Sequence, residues 1–428
     1  MADAPAAPAG FHLAGGVLHA EGVPLPVLAE AAGTPSYVYS AAVVRRQFRR
    51  LAGAFAGVPH RIHYSVKANS NLALLRLLRD EGAGVDIVSG GELYRAREAG
   101  FVAQDVVFSG VGKSARELHD ALAAGVLFVN VESEGELLLL DAVARERGAV
   151  APVALRVNPE VAVDSPHEFI RTGEKGHKFG IPFDDVPAAA ELARSLPNLR
   201  LVGLDMHIGS QLATFEPYGA ALLRVLGLLT RLRADGADAI SYLDVGGGLS
   251  VTYSDEAPAD VARYARGVIE ATRGLGLTLV LEPGRFLVAE SGVLLTRVLY
   301  RKRSGGKEYV ITDAGMNDLV RPSHYDAYHG ITAVTPRGGT VRADVVGPVC
   351  ESGDFLALDR AVDDVRPGDL VAVHTAGAYG FVMASNYNSR PRPAEVLVDG
   401  ARYAVVTERE RYEDLVRQER AALDWRAA

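Results

Sequence analysis

The sequence predicts a (β/α)₈ barrel followed by a second domain built mainly of β-strands. Three observations predict it. From Arg61 onward, eight short β-branched runs alternate with amphipathic runs. Near Gly284 the alternation stops, and strand-like runs punctuated by turns take over. The length of 428 residues also exceeds what one small core requires. Eight parallel strands joined by right-handed crossovers close most simply into a barrel, with an open doubly wound sheet as the alternative.

Residues 1–10 are rich in Ala and Pro and lack the basic start and apolar run of a secretory signal, so a disordered tail is expected. Phe11–Leu13 and Val17–His19 read as strands, and the segment 11–35 is expected to join the β domain rather than the barrel. The barrel domain is expected over 36–284 and the β domain over 285–428. Ser40 can cap a helix whose Val44, Phe48, Leu51 and Phe55 recur on one face. The eight barrel strands are predicted at Arg61–Lys67, Gly84–Ser89, Asp105–Ser109, Val126–Asn130, Val153–Asn158, Leu201–His207, Ile240–Val245 and Thr278–Glu282. Ser114 with Glu117 and Ser133 with Glu136 have capping-box spacing, where each side chain can bond the other residue's backbone N–H. Gly82, Gly100, Gly125 and Gly148 follow helical runs and can close them at positive φ.

Beyond the barrel, antiparallel strands are predicted at Gly292–Arg303, Glu308–Asp313, Thr340–Val346, Phe355–Leu358, Leu370–Thr375, Glu395–Val398 and Arg402–Thr407. A charged, amphipathic helix is expected over Glu408–Asp424. The net charge of −8 is spread along the chain without a basic stripe, which argues against nucleic acid as a partner. No run approaches the roughly 20 apolar residues of a membrane span. The single cysteine, Cys350, excludes an intrachain disulfide and a multi-cysteine metal cluster. It fits a reducing, cytoplasmic compartment, and no metal is expected.

Reactive groups of such barrels sit at the carboxyl ends of the strands. Here Lys67, Asp86, Ser109, Asn130, Asn158, His207 and Glu282 close strands. Taken alone, Lys67 is either a surface lysine or the amine of a Schiff-base cofactor site. Gly246-Gly247-Gly248, after the seventh strand, is either a tight turn or a phosphate cradle, and its position favours phosphate. Glu282-Pro283-Gly284-Arg285 and His207-Ile208-Gly209-Ser210 bring a carboxylate, a guanidinium, an imidazole and a hydroxyl to the same rim.

With these motifs the chain, from about Pro35 to Glu395, resembles the group IV pyridoxal-phosphate-dependent decarboxylases, whose barrel is of the alanine-racemase type (fold type III). Its later segments are similar to the members that decarboxylate diaminopimelate. These are Asp313-Ala314-Gly315-Met316-Asn317-Asp318-Leu319-Val320-Arg321-Pro322, Tyr325 to His329, Gly347-Pro348-Val349-Cys350-Glu351-Ser352, Gly377-Ala378-Tyr379 and Ser385-Asn386-Tyr387-Asn388. Ser323-His324 departs from the small and aliphatic pair expected before Tyr325, and Asp164 to Lys178 matches loosely.

The resemblance implies pyridoxal 5′-phosphate as cofactor, carried by Lys67. Glu282 would bond the pyridine nitrogen, and His207 would pack on the ring face. Ser210, Gly246, Gly247, Gly248, Gly284 and Arg285 would hold the phosphate end, and Tyr379 would complete the pocket beside cofactor and substrate. It also implies a head-to-tail homodimer with shared sites, in which Cys350 reprotonates the substrate carbon and Glu351 takes the distal ammonium, both across the interface. Arg285, Arg321 and Tyr325 would grip the distal carboxylate of meso-diaminopimelate, a small amino-acid substrate, and the product would be L-lysine. Rival readings are a relative acting on ornithine, carboxynorspermidine or a carrier-linked amino acid, a non-catalytic binding homologue, and a racemase. The presence of Lys67 and Cys350 argues against the binding homologue, and Cys350-Glu351-Ser352 argues against the racemase.

Overall fold

The computed structural model describes residues 10–161, 173, 176–419, 423 and 425–426. The expected N-terminal tail, except Gly10, and most of the loosely matching Asp164–Lys178 segment lie outside them. The chain forms two compact units, one of residues 41–291 with 377–382, the other of residues 1–40, 292–376 and 383–428.

In the first unit, eight parallel strands run His60–Ser65, Gly84–Ile87, Val106–Phe108, Phe128–Val131, Ala151–Asn158, Leu199–Met206, Tyr242–Asp244 and Thr278–Leu281. Leu279 to Leu281 pair with His60 to Ile62, so the last strand closes on the first and the sheet is a barrel. Each predicted strand is present, with ends shifted by at most two residues. The helix Ala41–Phe55 buries Val44, Phe48, Leu51 and Phe55 as its spacing requires. Ser114 and Glu117 form a full capping box. Ser133 caps the next helix by accepting from the Glu136 N–H, but the expected capping box is only half formed, because the Glu136 carboxylate accepts from the N–H of Glu132 and the ammonium of Lys113 instead. Gly82, Gly100, Gly125 and Gly148 all take positive φ.

The second unit holds a mixed sheet, not a purely antiparallel one. Its order is Phe355–Asp363, Thr340–Val346, Lys307–Thr312, Gly292–Ser304, Ser36–Ser40, Ala394–Asp399 and Arg402–Thr407. Two pairings are parallel, Lys307–Thr312 with Thr340–Val346 and Ser36–Ser40 with Ala394–Asp399. Ser36–Ser40 was expected to open the barrel domain, yet it lies at the centre of this sheet with all five residues buried. A strand covered on both faces has no polar alternation to announce it. Phe11–Ala14, Val17–Ala20 and Val23–Pro24 form a separate three-stranded sheet instead of joining the large one. Phe11, Leu18, Leu25 and Leu28 nevertheless share one apolar core with Val38, Val293, Leu295 and Val396.

The expected helix over Glu408–Asp424 shrinks to Tyr412–Val416 among the described residues. The backbone before it is held by tertiary bonds: Glu410 accepts from the Arg392 N–H at 2.8 Å and from Asn386 Nδ2 at 2.6 Å. Burial opposes the charge of Glu410, but these bonds and the Arg392 guanidinium outweigh it and bring the carboxyl down to about 2.

Asp318 shows the opposite balance. Burial pushes its carboxyl up to about 7, against the Gly315 N–H that donates to Oδ2 at 3.0 Å, and Oδ1 is buried without a partner among the described residues. The folded state therefore holds this proton more tightly than the unfolded chain, where an aspartate titrates near ~3.9. The contribution to stability is full below that value and is lost as pH rises through about 7. Asp318→Asn is thus expected to raise the melting temperature at pH 8, by on the order of a few kcal/mol of stability, with the gain shrinking toward pH 4. Thermal unfolding of both chains at the two pH values checks this, and a variant less stable at pH 8 would refute it.

Candidate active site

The carboxyl ends of the barrel strands converge on a cleft lined by Ser65, Lys67, His207, Ser210, Gly248, Glu282, Gly284, Arg285 and Tyr379. Lys67 lies in the single turn Val66–Ala68 that follows the first strand. Its Nζ is 3.2 Å from Asp86 Oδ2, and Ser65 Oγ donates to the same oxygen at 2.9 Å. Burial works against a charge here, but the carboxylates of Asp86 and Glu282 outweigh it and raise the Lys67 pKa.

Glu282 is buried opposite, with Ser109 Oγ donating to Oε1 at 3.3 Å and Asn130 Nδ2 3.4 Å from the same atom. Burial and the neighbouring Asp86 push this carboxyl up to about 7, while Lys67 and a hydrogen bond with Asp244 pull the other way. At neutral pH the site therefore has a carboxyl poised to accept a proton from, or share one with, a buried N–H.

His207 is held by the glycine loop: its Nδ1 accepts from the Gly247 N–H at 3.2 Å. Burial first, then Arg156 and Lys67, depress its pKa well below normal, so the imidazole is a neutral flat surface. A Cβ on Gly247 would come 2.3 Å from the Glu282 carbonyl oxygen, and Gly248 takes φ +105° with 2.6 Å to the Gly209 carbonyl. No side chain fits at either position, and the backbone is left bare toward the cleft.

Arg285 donates through Nε to Ser210 Oγ at 3.1 Å and through Nη1 to Tyr253 Oη at 2.7 Å. Its guanidinium lies 4.9 Å from the Tyr379 ring centroid. Tyr379 adopts φ +56° and donates its N–H to the Ala68 carbonyl at 2.8 Å, one residue past Lys67.

The residues predicted for the substrate end, Arg321, Tyr325, Cys350 and Glu351, belong to the second unit. Arg321 is buried at the start of the short helix Arg321–Tyr325, with Nη1 3.1 Å from His329 Nε2. His329 Nδ1 is 2.8 Å from the His374 carbonyl oxygen, which can only accept, so Nδ1 carries the proton and Nε2 is the acceptor toward the guanidinium. The Tyr325 ring packs edge-on against His324. Cys350 is exposed, and its N–H donates to Asn388 Oδ1 at 2.8 Å. Glu351 is hydrogen-bonded to Tyr387 and lies near Ser323 beside Gly353. Asn158, by contrast, serves its own turn by accepting from the Glu160 N–H at 3.0 Å.

Sequence reading overlooked the buried groups that surround Glu282. Asp205, Asp244 and Glu282 each offer an oxygen within 4.8 Å of the others, all buried. Arg156 Nη1 lies 2.9 Å from Glu132 Oε1, and its Nε is 3.8 Å from Asp205 Oδ2. The signal was available: Ser65, Arg156 and Asp205 each stand two residues before a strand-end residue, Lys67, Asn158 and His207, and so face the same side.

The arrangement suits a phosphorylated pyridine aldehyde. An amine, a carboxyl able to meet a ring N–H, a flat neutral ring, and a bare backbone beside a hydroxyl and a guanidinium all line one cleft. Comparison with known proteins agrees. The family model for the pyridoxal-dependent decarboxylases, pyridoxal binding domain, matches residues 41–289. The chain is 52% identical over 399 residues to the diaminopimelate decarboxylase of Pseudomonas aeruginosa, spanning 93% of this chain and 95% of that one. The crystal structure of diaminopimelate decarboxylase from Helicobacter pylori complexed with L-lysine matches with a TM-score of 0.89 and 42% identity, covering 92% of this chain and 99% of that one. The corresponding M. jannaschii enzyme in co-complex with L-lysine matches with a TM-score of 0.91 and 34% identity, covering 97% and 98%.

Proposed function

The chain belongs to the pyridoxal-dependent decarboxylase family, and from this premise we infer that it removes one carboxyl group of meso-2,6-diaminopimelate to give L-lysine and carbon dioxide, the last step of lysine biosynthesis. The observation that carries this reading is the cleft itself, with the Lys67 amine, the Glu282 carboxyl and the bare glycine loop together, in a chain matching diaminopimelate decarboxylases along nearly its whole length. The cofactor is pyridoxal 5′-phosphate. When bound, it supplies an electron sink for the pair released as carbon dioxide leaves.

The roles of the residues follow from their chemistry. Lys67 carries the cofactor through its amine. Glu282 meets the ring nitrogen and keeps a proton there. His207 offers its neutral face to the ring, while Ser210, Gly246, Gly247, Gly248, Gly284 and Arg285 take the phosphate end. Orientation is their contribution to rate. Tyr379 lines the cleft with its ring beside the Arg285 guanidinium and completes the pocket. Cys350 Sγ delivers a proton to the carbon that loses its carboxyl group. For the distal end of the substrate, Arg285, Arg321 and Tyr325 match the carboxylate and Glu351 the ammonium.

Cys350 and Glu351 act, in this reading, on the site of a second copy, so the working form is a homodimer. The exposure of Cys350 supports that reading. We place the enzyme in the cytoplasm; no helix among the described residues is long and apolar enough to cross a membrane, and the lone thiol suits a reducing compartment.

Purified protein with added pyridoxal phosphate is expected to release one carbon dioxide and one L-lysine per meso-diaminopimelate, and to lose activity reversibly when the cofactor is stripped. Isotopic carbon dioxide release with chromatography of the product checks both. Release of carbon dioxide without L-lysine would overturn the reaction assigned.

A further inference from the structure

Asp244 ends the seventh barrel strand and is fully buried. One of its oxygens, Oδ1, accepts the Gly246 N–H at 2.9 Å. On its other side Asp244 is hydrogen-bonded to Glu282, and Asn130 Nδ2 stands 3.4 Å from both Asp244 Oδ2 and Glu282 Oε1. Two carboxyl groups can share a hydrogen bond only if one of them keeps its proton. The nearby cations are engaged elsewhere, Lys67 with Asp86 at 3.2 Å and Arg156 with Glu132 at 2.9 Å. With Oδ1 occupied as an acceptor, Oδ2 is the atom left to carry the proton.

We propose that Asp244 is a positioning residue that stays protonated and donates from Oδ2 to Glu282, tying the Glu282 carboxylate to the first glycine of the Gly246–Gly248 loop. One short side chain thereby sets the carboxylate and the loop relative to each other, and it does so without adding a second negative charge to the cleft. Burial and the two adjacent carboxyls, Glu282 and Asp205, hold the Asp244 proton well above the usual carboxylate range, and the same bond lowers the pKa of Glu282. Glu282 is then the member of the pair that ionises and can accept a buried N–H. Asp205 lies within the same cluster, but its nearest cation is Arg156 at 3.8 Å, and no bond ties it to the glycine loop.

The inference rests on the role proposed for Glu282, and the variants separate the two. An amide at position 244 keeps both the acceptor and the donor, whereas alanine removes both. In the full-length enzyme, Asp244→Asn is expected to keep kcat/KM and the pyridoxal-phosphate dissociation constant within about tenfold of wild type, and Asp244→Ala to lose about 10²-fold in each, the cost of unpairing a buried charged acceptor. Infrared difference spectra of the cofactor-free enzyme supply a readout independent of activity. The stretching absorption of protonated carboxyls should fall by the intensity of one group in Asp244→Asn, while the contributions of Asp205 and Asp318 remain. An Asp244→Asn chain that is as impaired as Asp244→Ala, fails to fold, or keeps the full band overturns the proposal. If Glu282→Ala leaves cofactor affinity and turnover near wild type, the role of Glu282 falls first, and the tether falls with it.

Discussion

In Lys67→Ala, turnover of meso-diaminopimelate is expected to fall by about 10⁴-fold, the upper end of what removing a positioned proton-transferring group costs. In the wild type, borohydride should fix the cofactor to the chain at Lys67, and in the variant no fixed cofactor should remain. The structural reason is specific. Lys67 is the amine lining the cleft, and its ammonium is the counter-charge of a buried Asp86. Reduced cofactor recovered on another lysine, by peptide mapping, would displace Lys67 from its role. The same variant tests the second copy. Lys67→Ala chains mixed in equal amounts with Cys350→Ala chains should regain about a quarter of wild-type activity, since half of randomly paired dimers are mixed and each has one complete site. Absence of recovery, with subunit exchange demonstrated, would return Cys350 to the site of its own chain.

Wild-type enzyme is expected to prefer meso-diaminopimelate over L-ornithine and L-lysine by roughly 10⁴-fold in kcat/KM, and Arg321→Ala should erase most of that preference. Ornithine and lysine lack the distal carboxylate, and a site built to bond a group rejects an analogue that leaves its own polar groups unpaired. Arg321 is equipped for the task because His329 Nε2 positions its Nη1, with the ring oriented by the bond from Nδ1 to the His374 carbonyl. A purely structural arginine in this place predicts something else: loss of folding and of cofactor occupancy together, with the substrate ratio unchanged. Measuring kcat/KM for the three substrates beside cofactor content separates the two. A wild type that prefers ornithine or lysine would sink the substrate itself.

Much of the barrel and of its rim was legible because both are local patterns. A strand-helix alternation can be counted, and once counted it assigns Lys67, His207, Gly246–Gly248 and Glu282 to one end of the barrel without knowledge of any contact. The capping pair Ser114 and Glu117 and the closing glycines were legible for the same reason, since their partners lie within a turn or two of sequence.

The elements that escaped are those whose meaning comes from distant neighbours. Ser36–Ser40 has its partners in Gly292–Ser304 and Ala394–Asp399, and burial on both faces removes the alternation by which a strand is read. Glu408–Arg411 looked helical until Arg392 and Asn386 claimed Glu410.

The sequence by itself determined the fold class, the family and the identity of the groups at the strand ends, because hydrophobic period, turn chemistry and motif spacing are properties of neighbouring residues. Which of those groups is charged was decided only by the tertiary structure. Asp86, Asp205, Asp244 and Glu282 end or flank four different strands and are alike as residues, yet Asp86 pairs with Lys67 while burial raises the other three. A carboxyl's proton affinity is a sum over desolvation and every charge nearby, and in a closed barrel those charges come from strands far apart in the chain.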